Sequence, residues 1–271
     1  MFYAIHVIAG RIPATEIVFI RSIFTSVVLL PLIKRDLRRM TSPASLPLWL
    51  RAIAVEFSTV CFTWNLQHTS VGMANALYNT APLLVLLAAW KTKVEKPSLS
   101  RLVDLLFIVV GDFVFWNGTL LHTGVSAAVW TVGLVGATAA ASAGIALKRA
   151  VLTWNTYTIA WSMSIAGIPE TLILRRDPWV VPDRFCILLL AAICLLSLSA
   201  QLLIAASFKR LQVSTASALT STSILFGVSF EILRGEYPTP HGLIGCLLDI
   251  FGITRLSISS QQSPPRPGSM P

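Results

Sequence analysis

Three carboxylate side chains, Glu56, Asp112 and Asp249, interrupt long apolar runs of this sequence. An ionisable side chain inside a membrane helix is costly to bury and commonly marks an ion pathway, because a carboxyl group can take up and release a proton. We therefore expect all three residues to be candidates for ion coupling. Glu56 has a second interpretation, a structural ion pair with Arg51 five residues before it or with Arg21 on another run.

Arg21 lies well inside an otherwise apolar run, eight residues after Pro13. Placing an arginine at the centre of a membrane helix costs about 2.5–3.5 kcal/mol, so the residue normally faces a cavity or a partner. A guanidinium can hold a carboxylate with two hydrogen bonds, which makes Arg21 a candidate for binding an anionic group of a substrate. The alternative is an arginine that reaches the membrane surface or pairs with Glu16 or another helix. The sequence leaves both interpretations open.

A further polar group, Tyr78, Asn79 and Pro82, lies within one apolar run. Proline removes a backbone hydrogen bond and frees the carbonyl four residues before it, which belongs to Tyr78. Membrane helices tolerate this where another group satisfies the carbonyl, so we expect a kinked cavity wall that faces a substrate. The alternative is a kink that serves packing only. Trp64 and Asn65 join the predicted substrate site, although a tryptophan near a helix end is more often an interface anchor.

The histidines and cysteines lack the spacing of metal ligands. They are His6, His68, His122, His241, Cys61, Cys186, Cys194 and Cys246, and no Cys-x-x-Cys pair occurs. The sequence also contains no Ser-His-Asp order, phosphate-binding Walker motif or dinucleotide fingerprint. We therefore expect no metal, no cofactor, no catalytic residue and no ATP-driven pumping.

The elements that would position these residues are membrane-spanning helices. Hydrophobic residues make up 55% of the 271 positions and charged residues 12%, and mean hydropathy is +0.73, whereas soluble domains carry about 25% charged residues. The net charge of +9 comes from cations in the short gaps between apolar runs. This distribution predicts a lipid bilayer as partner and argues against nucleic acid.

A helix needs about 20 apolar residues to cross a membrane, and nine spans are predicted on this basis. They cover residues 13–33, 46–67, 70–90, 102–121, 124–147, 156–174, 185–207, 214–233 and 239–258. Residues 1–9 look like the last half of one more helix. We therefore expect an all-α membrane protein of ten helices, the first of them truncated, followed by a disordered tail at residues 259–271, which are rich in Pro and Ser.

The cations predict an orientation. With residues 1–9 as the first helix, one side receives Lys34, Arg35, Arg38, Arg39, Arg51, Lys91, Lys93, Lys96, Arg101, Lys148, Arg149, Lys209, Arg210, Arg255 and Arg266. The opposite side receives Arg11, Arg175, Arg176, Arg184 and Arg234. Because cytoplasmic loops carry an excess of cations, this distribution of fifteen against five predicts that both termini are cytoplasmic. The expected location is the cell (inner) membrane.

The sequence also contains a weak internal repeat. Residues 76–90 (ALYNTAPLLVLLAAW) match residues 218–232 (ALTSTSILFGVSFEI) at several positions, and at a spacing of 141 the Glu-x-Pro at 95–97 recurs at 236–238 and Gly111 recurs as Gly252. We predict two repeats, residues 1–122 and 123–258. Five is an odd number of helices, so the second repeat would enter the membrane inverted. Inverted repeats are typical of secondary transporters, whose substrate sites lie near the midplane.

Three motifs then indicate a family. They are Glu-Ile-Val-Phe-x-Arg at residues 16–21, Ala-x-Ala-Leu-x-x-x-x-Pro at 74–82 and Gly-Glu-x-Pro-x-x-x-x-x-x-Gly at 235–245. With these motifs the chain resembles, over nearly its whole length, the EamA-like branch of the drug/metabolite transporter (DMT) superfamily. The resemblance implies a DMT-type bundle of two inverted five-helix repeats that exports or takes up small metabolites. The chain departs from the pattern at Val94, where the family favours glycine, and at Asp104, which aligns with Gly245.

The expected function is secondary transport of a small-molecule metabolite by alternating access, with the substrate unknown. Two alternatives stay open: a truncated paralogue that does not transport, and an intramembrane enzyme that modifies lipids. The scattered histidines speak against the enzyme. Assembly into a homodimer is left open.

Overall fold

The computed structural model describes residues 2–8, 10–69, 71–91, 99–120, 126–175, 178–211 and 240–261, together with residues 216, 222, 226, 229 and 232. All regular structure within these residues is helical. The helices are α1 (Phe2–Val7), α2 (Ala14–Ile33), α3 (Leu46–His68), α4 (Val71–Tyr78), α5 (Ala81–Lys91), α6 (Leu99–Leu120), α7 (Ala127–Ala150), α8 (Thr156–Leu174), α9 (Arg184–Arg210) and α10 (Pro240–Gln261).

Eight of the nine predicted spans coincide with described helices to within a few residues, one of them as the pair α4 and α5. By length and composition alone, Ala14–Ile33, Pro43–His68, Ala127–Ala150 and Arg184–Arg210 can each cross a membrane. The span predicted at 214–233 lies outside the described residues, apart from isolated positions, so the count of ten helices stays a prediction. Helix α10 continues to Gln261, three residues into the predicted tail. Residues 262–271 of that tail are outside the described part of the chain.

Short polar side chains begin three of the helices. The side-chain oxygens of Ser126, Asn155 and Asp183 each accept a hydrogen bond from the backbone N–H three residues further on, at the starts of α7, α8 and α9. Such caps satisfy one of the N–H groups that a helix start leaves without an internal partner. At Asp183 this backbone hydrogen bond lowers the pKa of the exposed carboxyl group below its usual value.

Helices α6 and α10 approach each other so closely that both contact points are glycines. A Cβ atom on Gly111 would lie 2.8 Å from the carbonyl oxygen of Gly245, and one on Gly252 would lie 2.9 Å from the carbonyl oxygen of Asp104. These contacts make the two helices antiparallel. Gly111 and Gly252 are 141 residues apart in the sequence, and so are Asp104 and Gly245. Each residue therefore occupies the position of its counterpart on the other helix, and α6 and α10 have the local two-fold symmetry that an inverted repeat produces.

A second close pair, α2 and α8, consists of the second helix of each predicted repeat. After α2, the Asp36 carboxylate accepts hydrogen bonds from the side chains of Asn155, at 3.2 Å, and Thr158 at the start of α8. After α8, the Val180 N–H donates a 3.0 Å hydrogen bond to Glu16 at the start of α2. We call these contacts the Asp36 latch and the Glu16 latch. Each loop thus ties one helix to the beginning of the other.

Two apolar clusters lie at opposite ends of the bundle. The cationic-end cluster, beside the cations of residues 34–39, 148–149 and 209–210, includes Met40, Leu48, Leu147, Trp154, Ile159 and Phe208. The opposite-end cluster includes Ile8, Ile12, Ile17, Phe62, Leu66 and Leu190. Helix α3 runs from Leu48 in the first cluster to Leu66 in the second, and α9 runs the other way. Residues midway along α3 and α9 therefore lie between the cationic-end cluster and the opposite-end cluster.

Candidate functional site

An ion pair between Arg21 and Glu56 lies in the middle of the bundle. One guanidinium nitrogen of Arg21 donates to both carboxylate oxygens of Glu56, at 2.7 and 2.5 Å, and another donates to the Ser197 hydroxyl at 3.2 Å. Arg21 is 5% exposed and Glu56 is fully buried. The structure thus gives Arg21 a partner on α3, not Glu16 on its own helix, and the two opposite charges neutralise each other.

Arg51 is the second buried cation of this region, one and a half turns from Glu56 towards the cationic end. Its guanidinium donates to the carbonyl oxygen of Ile159 on α8 at 3.0 Å and to the side-chain oxygen of Gln201 on α9 at 3.4 Å. The residue is 2% exposed, although its place near the start of an apolar run suggested a loop cation. Removing it from the loop charges leaves fourteen cations against five, so the predicted orientation is unchanged.

Tyr78 reaches this region from the end of α4. Its phenol ring is tilted against Phe62, with 5.0 Å between ring centroids, and its hydroxyl lies near Ser58 and both guanidinium groups. We call Arg21, Arg51, Glu56 and Tyr78 the central charge cluster. Beside it, a gap between α3, α4 and α7 that is too narrow to hold a water molecule is lined by Phe62, Asn65, Ala74, Tyr78, Gly133 and Gly136. Two predicted substrate residues, Asn65 and Tyr78, thus line one gap.

A pair of buried carboxyl groups forms a separate polar centre. Asp112 on α6 and Asp249 on α10 face each other across the glycine contact, and Asp112 accepts a hydrogen bond from the Asn79 amide at 3.3 Å. Asp112 is 4% exposed and Asp249 is fully buried. No cation of the described residues lies within 4.0 Å of either carboxylate. The structure therefore brings two predicted ion-coupling residues together and places Glu56 elsewhere.

The break between α4 and α5 connects the two centres. Helix α4 ends at Tyr78, which faces the central charge cluster, while the next residue, Asn79, contacts the carboxyl pair. Helix α5 starts at Ala81, with Pro82 in its first turn, where a proline needs no hydrogen-bond partner for its nitrogen. The predicted kink is thus present as a two-residue turn at Asn79 and Thr80, and it directs two adjacent polar side chains towards different sites.

Trp64 lies away from both centres. Its indole stacks on His68 with 3.9 Å between ring centroids, and it packs against an apolar cluster that contains Met73 and Leu77. The structure thus gives Trp64 no contact with either polar centre among its described neighbours.

Several polar residues of the site were not predicted from the sequence. Ser197 and Gln201 are short or neutral side chains in the long apolar helix α9, and nothing in their spacing distinguishes them from packing residues. Glu170 gave a signal that could have been used, because it follows Pro169 inside an apolar run. One of its carboxylate oxygens is buried without a hydrogen-bond partner among the described residues, and the side chain lies near Glu56.

Comparison with known proteins decides the family. The sequence model described as the EamA-like transporter family matches twice, over residues 1–116 and 127–258. The chain belongs to the EamA-like transporter family. The first match includes most of α6 and the second includes α10 up to residue 258, and members of this family are membrane transporters. The EamA-like chain is thus an integral, multi-pass membrane protein.

A solved structure supports the fold of this EamA-like chain. A crystal structure described only as that of a protein superposes with a TM-score of 0.73, at 15% sequence identity, over 96% of both chains. Such a likeness shows a shared architecture and says nothing of substrate. No curated protein sequence matches the chain at a significant level.

Proposed function

We propose that this EamA-like chain is a secondary transporter that moves a small metabolite by alternating access and couples the movement to protons. The observation that carries the proposal is the arrangement of two buried polar centres joined by the α4–α5 break, of which the central charge cluster lies between apolar clusters at both ends of the bundle. Substrate binds at the central charge cluster, with Arg21, Trp64, Asn65, Tyr78, Asn79 and Pro82 as the first residues to test. Trp64 enters this set through the sequence alone.

The carboxyl pair supplies the proton site of the proposal. Two carboxylates that share one buried site cannot both ionise cheaply, and an unpaired buried charge costs several kcal/mol. Asp112 and Asp249 therefore hold at least one proton between them. When Asp112 is ionised, it accepts a charge-assisted hydrogen bond from Asn79, which is stronger than the bond to a neutral acid. Protonation weakens that bond and frees the break beside Tyr78 to move.

The latches supply the conformational part of the proposal. Alternating access requires that one end of the site opens while the other stays closed. The Asp36 latch closes the cationic end and the Glu16 latch closes the opposite end, and each is formed by the same pair of helices. Rocking of α2 against α8 would thus open one latch and keep the other. Cations at the Asp36 end support the cytoplasmic side of the cell (inner) membrane for that end and for the end of α10, whereas α1 packs in the opposite-end cluster.

The test is proton movement in proteoliposomes that contain the full chain and a pH-sensitive dye. Pulses of mixed amino acids and organic acids should acidify or alkalinise the lumen in wild-type vesicles. Asp112→Asn and Asp249→Asn should each abolish the dye response, whereas Asp183→Asn, which neutralises an exposed carboxylate, should retain it. Substrate uptake that persists without dye response would sink proton coupling. Vesicles that transport nothing from either mixture would sink the transporter proposal.

A further inference from the structure

The middle of the bundle contains one more buried cation than it needs for its ion pair. Arg21 and Glu56 neutralise each other through two short contacts. Among the described residues, Arg51 has the largest fully buried side chain, and no carboxylate oxygen of these residues lies within 4.0 Å of it. Its two hydrogen-bond acceptors, a backbone carbonyl and the Gln201 amide oxygen, are both neutral. Its charge is therefore left without a bonded counter-ion.

The hydrogen-bonding capacity of Arg51 is also incomplete. The Nε–H group is buried and has no partner among the described residues, and a guanidinium carries five N–H donors in a planar fork. Carboxylate and phosphate groups match that fork with two parallel hydrogen bonds. A buried donor without an acceptor is rare in folded proteins. The free edge of Arg51 is thus suited to an anion that the protein itself does not supply.

The other acidic groups near Arg51 are already engaged or face elsewhere. Glu56 is held by Arg21, and Glu170 on α8 lies on the Glu56 side of the cluster, near Cys61. The Tyr78 hydroxyl, which can donate to an anion, lies within the field of Arg51. Arg51, Ser58 and Phe62 are seven and eleven residues apart on α3, so they lie along one face of that helix. That face runs from Arg51 towards Tyr78, which packs against Phe62.

We infer that Arg51 binds the anionic group of the transported molecule, so that the substrate is a small organic anion with a carboxylate or phosphate. The inference rests on the proposed function and narrows its substrate class. Arg21, the cation that the sequence pointed to, serves instead to hold Glu56 in place. The competing explanation is that Arg51 braces α3 against α8 and α9 through its two neutral acceptors. The two explanations differ in what they predict for the protein without ligand.

Thermal unfolding of the full chain in detergent separates them. The probes are millimolar succinate, benzoate and glycerol 3-phosphate, each against its uncharged counterpart succinamide, benzamide or glycerol. At least one anion should raise the midpoint of wild-type unfolding, because a ligand that binds only the native state stabilises it, and its uncharged counterpart should not. Arg51→Met should weaken binding of that anion about tenfold or more, as expected for hydrogen bonds to a charged group. Arg51→Lys should retain part of it, because charge stays but the fork is lost.

Without ligand, Arg51→Met should unfold at the wild-type temperature or above it, because methionine removes an uncompensated buried charge at similar length. An anion shift that survives in Arg51→Met overturns the inference, and so does a panel in which no anion exceeds its uncharged counterpart. A large loss of stability in unliganded Arg51→Met, without anion selectivity in the wild type, shows that the residue is a brace.

Transport in proteoliposomes separates this inference from the proposed function. Uptake of uncharged or cationic molecules only, unaffected by Arg51→Met, would contradict the anionic substrate and leave the transporter intact. Absence of any uptake by the wild type would contradict the transporter itself.

Discussion

Substitution of glycine by alanine should lower the free energy of unfolding at two positions of this chain and raise it at a third. An added Cβ at Gly252 would lie 2.7 Å from a side-chain carbon of Ile108 and 2.9 Å from the carbonyl oxygen of Asp104. At Gly144, the nearest atom would be a side-chain carbon of Val85 at 3.5 Å, which is ordinary van der Waals contact. Both glycines lie within described helices. Gly144→Ala is therefore a matched control for Gly252→Ala.

The size of each effect follows from two terms. Alanine is favoured over glycine within a helix by about 0.8–1.0 kcal/mol, and this gain applies at every position. Overpacking a tight contact costs about 1–3 kcal/mol, and the cost at Gly252 should lie at the upper end because one obstructing atom belongs to the partner backbone. We expect Gly252→Ala to lose roughly 1–2 kcal/mol and Gly144→Ala to gain up to about 1 kcal/mol. Gly111→Ala should behave like Gly252→Ala, since its Cβ would meet the Gly245 carbonyl.

The assay is reversible unfolding of the purified chain by sodium dodecyl sulfate in mixed micelles, followed by far-ultraviolet circular dichroism. The free energies of unfolding should rank Gly144→Ala above wild type, and wild type above both Gly111→Ala and Gly252→Ala. If either contact-site variant were as stable as Gly144→Ala, then α6 and α10 would not approach as closely as the structure shows. The two helices would then lack the reciprocal contacts that give them local two-fold symmetry.

Two further predictions concern charged contacts. Removing one partner of a buried ion pair leaves the other charge uncompensated. Arg21→Met and Glu56→Gln should therefore each lower the free energy of unfolding by about 3–5 kcal/mol in the same assay, and the double variant should recover most of that loss. Additive losses would show that the pair does not form. Asp36→Ala should raise alkylation of the native buried cysteines by a membrane-impermeant maleimide added on the cationic side, and Glu16→Gln should raise it on the opposite side. Equal labelling from both sides in either variant would contradict the role of the latches.

Helix positions followed closely from the sequence because they depend on local quantities. Hydropathy over about 20 residues decides whether a segment can cross a bilayer, and α8, predicted at 156–174, has those limits in the structure. Pro82 correctly marked a disturbed helix, since the loss of a backbone hydrogen bond is written into the residue itself. That Tyr78 and Asn79 face different centres at this turn depends on which helices α4 and α5 pack against.

The sequence could not predict which ionisable groups pair within the site, because pairing also depends on how the helices pack. Arg21 could have paired with Glu16, with Glu56 or with a substrate, and the three options differ only in interhelical distances. Arg51 lies near the beginning of an apolar run, where a cation usually reaches the membrane surface, and only the packing of α8 and α9 over it makes the residue internal. Asp112 and Asp249 are far apart in the chain, and the glycine contact of α6 with α10 brings them together.

The sequence by itself determined the class of protein, the family and eight of its nine predicted spans, because apolar length, charge placement and motifs are properties of a chain read in one dimension. The tertiary structure decided which ionisable groups neutralise each other, which share a site and which is left over. Those relations depend on Coulomb and hydrogen-bond energies, which vary with separations of a few ångströms between helices. Arg51 shows the difference: its position in the sequence resembles that of a loop cation, whereas in the structure it is a buried charge without a bonded counter-ion.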